Sequence, residues 1–391
     1  MSRRLLISAL PGETRSAWLE DGVLVDLLVS RADRPSLLGN LYLGRVAKVD
    51  RGLDGAFVEV GLARQGFLPL TEGPGKRLLE GDSVAVRVLR EPSGDKGVRL
   101  TARLRSPPAD LAERVAKLKP PALLSQGDDP LERLLAQGAK PEEIVIDDPA
   151  TFAAFKARLG PGEHGLRLDN DPLPLFEREE IEHQIDALLA TRVELPEGGF
   201  LLIEPVTTLT AVDVNSGARR RRETAEEMAL ASNLAAASAL PRQLRLRALS
   251  GLIVIDFLAL GERAHRAKVV ARLRAGLKGD PEPGRVQPMA PSGLVELTRR
   301  RARPALHELY CQARGPIKSP VTLAYEALRL ARREGQGAAR LTLLATPDVV
   351  RALEGPLAEA RRQVESRLGG PLTLTAEPGA PGSPPEVRPQ R

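Results

Sequence analysis

Leu209-Thr-Ala-Val-Asp213-Val-Asn215-Ser-Gly217 and Gly251-Leu-Ile-Val-Ile-Asp256-Phe257 are two apolar runs that each stop at a carboxylate, and the segment between them has helical periodicity. The local reading is strand, crossover helix (Glu223 to Leu240), strand. Leu252 to Ile255 shows no polar alternation, which predicts a second strand buried on both faces. Such a unit can bring Asp213 and Asp256 to neighbouring strand ends, where paired carboxylates suit a hard divalent cation such as magnesium. Metal-assisted phosphoryl transfer is the chemistry this suggests. Period two puts Asn215 on the same face as Asp213. An Asp at a strand end also serves as a helix cap or turn former, and the letters alone leave both readings open.

The 391-residue chain has room for two or three domains. Aromatics make up 3 %, so the cores are built from Leu, Val and Ala. The formal charge of +6 permits a polyanionic partner without requiring one. A lone cysteine, Cys311, excludes an intrachain disulfide and a cysteine-rich zinc site within one protomer. With no leader and no apolar run near 18 residues, a cytoplasmic protein without a membrane span is expected. The four histidines show no metal-ligand spacing, and no Gly-rich phosphate loop stands out.

Between Leu41 and Leu104 the chain reads as five short strands with Gly-rich turns, which predicts a small closed barrel. Phe57 and Phe67 fall on it beside Arg45, Lys48 and Arg64, with Lys96 on a later turn. Aromatics flanked by cations hold single-stranded nucleic acid, although either Phe could equally be core. Arg219, Arg220, Arg221 and Arg222 follow the first carboxylate. They offer a phosphate track or, just as economically, a solvated face. The run Arg299 to Arg301 with Arg303, and Arg242, Arg245 and Arg247, would enlarge that patch if they folded onto one side.

Asn40-Leu-Tyr-Leu-Gly-Arg-Val46, Ala56-Phe-Val-Glu-Val60, Gly66-Phe-Leu-Pro-Leu70 and Gln243-Leu-Arg-Leu-Arg247, together with the two carboxylate motifs, resemble the ribonuclease E/G family of bacterial endoribonucleases. The resemblance implies a multi-domain α/β (α+β) chain. Residues 1–35 and 125–188 would be a ribonuclease-H-like subdomain, 36–105 an inserted OB-fold, and 106–124 a shortened linker replacing a 5′-monophosphate sensor. Residues 189–305 would be a deoxyribonuclease-I-like catalytic subdomain, 306–317 a degenerate zinc link, 318–376 a small α/β domain and 377–391 a disordered tail.

It further implies that Asp213 and Asp256 bind magnesium (manganese being an alternative), that Asn215 assists at the scissile phosphate, and that Phe57 and Phe67 contact RNA. Single-stranded A/U-rich RNA would be cut to 5′-phosphate and 3′-hydroxyl products in RNA processing or decay. The family's cysteine-pair zinc link reads Cys311-Gln-Ala-Arg314 here, so no zinc is expected, and the chain would be a monomer or a zinc-independent homodimer. A family Arg-Phe-Gly segment is here Pro291-Ser-Gly293, which keeps a catalytically weak or inactive RNA-binding protein as the alternative.

Overall fold

The computed structural model describes the chain except residues 1, 76, 93–95, 105–107, 128–130, 132–134, 136–139, 160–164, 197, 217–223, 283, 312–316, 336–339, 380–381 and 391. It forms two compact units: Ser36–Gln137 with Arg301–Pro304, and all the rest. The larger unit opens with an antiparallel meander of β1 (Arg3–Leu10), β2 (Glu13–Glu20) and β3 (Val23–Arg31). Its turns fall at Pro-Gly and Asp-Gly, where Gly12 and Gly22 take φ of +88° and +79°.

The smaller unit is a barrel of β4 (Leu41–Asp50), β5 (Gly55–Glu59), β6 (Gly66–Pro69), β7 (Ser83–Arg90) and β8 (Arg99–Thr101). Strand order β5-β6-β8-β7-β4 closes through a β4–β5 pairing, as in an OB-fold. Val46, Val58, Leu68, Val86 and Leu100 fill its interior. The stretch 106–124, expected to be a shortened linker, carries a helix, Leu111–Lys117, and most of β9 (Ala122–Ser125). β9 adds to the outer edge of β4, and Leu124 packs on Leu41 and Leu43.

Back in the larger unit, β10 (Glu143–Ile146) and β11 (Gly165–Leu168) lie parallel to β1, giving the order β11-β10-β1-β2-β3. The helix Ile181–Leu189 buries Ile181, Ile185 and Leu188 against Leu6, Ala17 and Val145, as its three-and-four spacing predicts. A six-stranded sheet follows, built from β12 (Arg192–Glu194), β13 (Phe200–Pro205), β14 (Thr210–Asn215), β15 (Gly251–Asp256), β16 (Gly284–Val286) and β17 (Leu294–Arg299), in the order β12-β13-β14-β15-β17-β16. The crossover helix, Ala225–Leu246, begins at a capping box between Thr224 and Glu227.

That helix and Arg263–Gly276 share one core with Ile203, Val212, Ile253, Ile255, Val295 and Leu297. The other face of the sheet stays open. Leu252, expected to be buried, is 39 % exposed, because alternate residues of β15 point away from the helices.

The last layer pairs β18 (Arg340–Ala345) in parallel with β19 (Leu372–Ala376) and antiparallel with β20 (Glu386–Gln390). β20 corrects the expectation of a disordered tail. Its Pro389 is tolerated because the strand lies at the sheet edge.

A buried ionic network staples this layer's helix Pro320–Glu334 to the meander. The Glu13 carboxylate accepts from Arg31 Nε at 2.7 Å and from Arg329, and Arg15 Nε lies 3.6 Å away. Arg15 in turn grips Glu182 at 2.7 and 2.9 Å. The Arg31 guanidinium lies over the rings of Tyr310 and Tyr325 at 4.9 and 5.3 Å, and the Tyr325 hydroxyl donates to the Gly12 carbonyl.

Candidate active site

β14 and β15 run parallel with Asp213 directly opposite Asp256. Opposed residues share a face, and neighbouring strands lie about 4.8 Å apart. Both carboxylates are exposed on the open side of the sheet. The crossover geometry produces this: two parallel strands joined by a helix end at the same sheet edge. Asn215, one pleat further on, donates its amide to Asp213 Oδ2 at 2.8 Å, so the two side chains form one preset pair.

The chain just beyond Asp256 is held from the crossover helix. Asn233, fully buried, donates Nδ2 to the Leu258 carbonyl at 2.8 Å and accepts from Leu258 N–H at 3.0 Å. Asn233 thus sits underneath the site, as a clamp on the backbone. Next to it the Glu226 carboxylate accepts from His265 Nδ1, Gly261 N–H and Glu262 N–H, and those bonds, His265 first, hold it below the ordinary carboxylate range. Gly293 meets the same loop from β17. Its φ is +99°, and a Cβ there would fall 2.2 Å from the Phe257 carbonyl oxygen.

Replacing Asn233 by Ala strands two backbone groups, and the expected cost is about 2 kcal/mol of stability. Urea unfolding checks this. A loss under about 0.5 kcal/mol would mean the clamp is dispensable.

Arg242 and the two arginines of Gln243-Leu-Arg-Leu-Arg247 do not extend a surface track. Arg242 Nε donates to the Leu24 carbonyl, Arg245 pairs with Asp26, and buried Arg247 donates to Ala190 and Gln243. Arg299 is likewise buried, paired with Asp280 and Glu282. They are struts between secondary-structure elements. Arg219 to Arg222 and Arg314 lie outside the described residues. Cys311 is half-buried, and burial raises its thiol pKa against the opposing effect of Lys318.

On the barrel, Lys48, Phe57, Phe67 and Arg99 are successive register partners across β4, β5, β6 and β8. The two rings meet edge to face at 5.6 Å and are half-exposed, between exposed cations at either end of the row. Gly55 leaves the room Phe67 needs, since a Cβ there would lie 2.2 Å from the ring. Arg45, Arg64 and Lys96 are also exposed, and a Cβ added at Gly97, next to Lys96, would fall 1.9 Å from the Gln65 carbonyl oxygen and 3.7 Å from the Arg64 Cβ. Sequence reading missed Arg99; its outward alternation between buried Val98 and Leu100 was the available signal. Arg90 loses proton affinity through burial and then through the charges of Arg99 and Arg301, so this side of the barrel concentrates cations.

Among the described residues no group of three or more His, Cys, Asp or Glu is placed to hold a metal ion, and no helix is long and apolar enough to cross a membrane. The sequence profile of the ribonuclease E/G family matches residues 99–302, just over half of the chain and all of β14, the crossover helix and β15. The chain belongs to that family. It is similar to the ribonuclease G of Salmonella typhimurium, at 27 % identity with 97 % of this chain and 98 % of the relative covered. The Escherichia coli K12 ribonuclease G gives the same figures. A Nostoc ribonuclease E is 31 % identical across 74 % of this chain and 55 % of its own length.

Proposed function

We propose that this ribonuclease E/G family member is a magnesium-dependent endoribonuclease that cuts single-stranded, A/U-rich RNA without reading its 5′ end. Family membership supports ribonuclease activity, and the observation that carries the site assignment is the register of Asp213 on Asp256 with Asn215 bonded to the first. The donor set fits the ion. Two exposed carboxylates on adjacent strands give a hard cation two anionic oxygen ligands and leave its other positions to water and phosphate, the usual habit of magnesium.

Bound there, magnesium would supply charge neutralisation at the phosphoryl oxygens and a more acidic water. Asp213 and Asp256 would hold the ion at the sheet edge. Asn215 fixes the Asp213 carboxylate and presents its remaining N–H toward a non-bridging phosphate oxygen. Water attacks phosphorus in line and gives up a proton to solvent, the P–O3′ bond breaks, the departing 3′ oxygen takes a proton from solvent, and the products carry a 5′-phosphate and a 3′-hydroxyl. Asn233 keeps Asp256 from drifting by tying down Leu258.

The order β11-β10-β1-β2-β3 supports the ribonuclease-H-like reading of the first sheet. The absence of a 5′ sensor is supported by length. The alignment to the Salmonella ribonuclease G spans 478 positions against 391 residues here, so the relative carries residues this chain lacks. Magnesium-dependent cleavage of one single-stranded RNA carrying either a 5′-hydroxyl or a 5′-monophosphate tests the whole reading. Equal rates are expected. A rate gain above about 10-fold for the monophosphate would reveal an end sensor, a gain worth ~1.4 kcal/mol. Binding without any cut would favour the RNA-binding alternative, for which the Pro291 segment speaks.

The Phe57 and Phe67 pair gives a second measurement. Base stacking is worth about 1–3 kcal/mol per base. The Phe57→Ala, Phe67→Ala double variant is expected to weaken single-stranded RNA binding by roughly 10-fold or more. Unchanged affinity in a fluorescence titration would return both rings to the barrel's packing.

A further inference from the structure

We propose that Arg192 and Phe200 form a stacking platform for the nucleobase beside the scissile phosphate, a proposal that rests on the endoribonuclease reading above. β13 sets Phe200 opposite Asn215 and Leu202 opposite Asp213. Opposed residues share a face, with Cβ atoms roughly 5 Å apart. Phe200 therefore stands next to the Asn215 amide on the open side of the sheet, away from the helix-covered core.

The next strand completes the surface. β12 pairs Arg192 with Leu202 and Glu194 with Phe200. The Arg192 guanidinium lies over the Phe200 ring, 3.5 Å from its centroid, and the Glu194 carboxylate accepts its Nε–H at 2.5 Å. The ring is half-buried, whereas the Arg192 side chain remains 52 % exposed. The layers run ring, guanidinium, solvent. A planar cation backed by an aromatic and held by a carboxylate is a fixed surface, and unpaired RNA bases stack on arginine planes and aromatic rings. Glu194 is neutralised by Arg192 and so does not repel a phosphate passing above.

The spacing suits the assignment. Two strand intervals, about 10 Å, separate β12 from β14. A nucleotide whose phosphate sits at the carboxylates spans such a distance with its sugar and base. Stacking tolerates any base, so the platform orients the strand without reading its sequence.

The test uses the full-length protein and a short single-stranded RNA with one cut site, alongside versions carrying an abasic ribose on either side of that site. Wild type is expected to cut one abasic version about 5-fold or more slowly than the intact RNA. Arg192→Lys, which keeps charge but loses the plane, and Phe200→Leu, which removes the backing ring, should slow cutting of intact RNA by a similar factor and add nothing on that abasic version. Phe200→Tyr should restore wild-type behaviour. Variants that cut intact RNA like wild type, or that lose equally on intact and abasic RNA, overturn the proposal.

Should wild type cut no RNA, the endoribonuclease reading falls, and the platform is decided by binding. Metal-free titration with 2-aminopurine RNA should then give quenching in wild type that Arg192→Lys and Phe200→Leu lose. Quenching unchanged by those variants also overturns the proposal.

Discussion

Changing Asp213 or Asp256 to Asn is expected to lower magnesium-dependent RNA cleavage by about 1000-fold while leaving RNA affinity within roughly 2-fold, because metal stabilisation of the transition state is worth several kcal/mol. Asn keeps the size and, at position 213, the acceptor oxygen that Asn215 addresses, so the charge facing the cation is what is lost. Both carboxylates lie exposed at a strand end, away from the sheet's core. The substitutions therefore cost little stability, and activity and folding can be read apart. Single-turnover cleavage with saturating protein measures the step itself. More than a tenth of wild-type activity in either variant would falsify the assignment of these two residues to the metal.

The second large effect concerns stability. Glu13 is buried, which alone would raise its pKa, but the guanidiniums of Arg329, Arg31 and Arg15 hold it at about 2. Glu13→Gln leaves those cations without their shared counter-charge, and breaking a buried pair costs about 3–5 kcal/mol. A folded pKa below the unfolded one means that Glu13 stabilises the native state above the ordinary glutamate range. This contribution is lost as pH falls through about 4.5 toward about 2. Urea unfolding between pH 7 and pH 3 should show wild type losing stability on the acid side, with Glu13→Gln both weaker at neutrality and flatter with pH. A variant as stable as wild type at pH 7 would mean that the network is bypassed.

The two carboxylate strands were legible because an apolar run ending in Asp, repeated across a helical segment, has few other foldings. β14 pairs with β15 in the register that this pattern demands. The helical period of Ile181, Ile185 and Leu188 was legible for a similar reason. What the letters did not show is which charges turn inward. Arg247 and Arg299 look like surface cations until Ala190, Asp280 and Glu282 close around them, and those partners lie 57, 19 and 17 positions away. Only the assembled sheets bring such partners together.

β9 and β20 were missed because each is short and sits next to prolines. Their strand character comes from the exposed edges of β4 and β18 that they complete. Phe200 gave no signal either. Its meaning depends on Arg192 lying over it and on Asn215 across the ladder.

The closed barrel also bears on the order in which the chain can fold during synthesis. β1 is an inner strand, yet one neighbour, β10, arrives 139 residues later, so the meander emerges with a bare edge that must wait. The barrel shortens the wait. Its first and last strands pair with Leu41 beside Ser125, which returns the chain to the place it left. Once those strands have met, the loop that β10 must close is set by the connectors on either side rather than by the stretch from Leu41 to Ser125 between them, and its entropic cost falls accordingly.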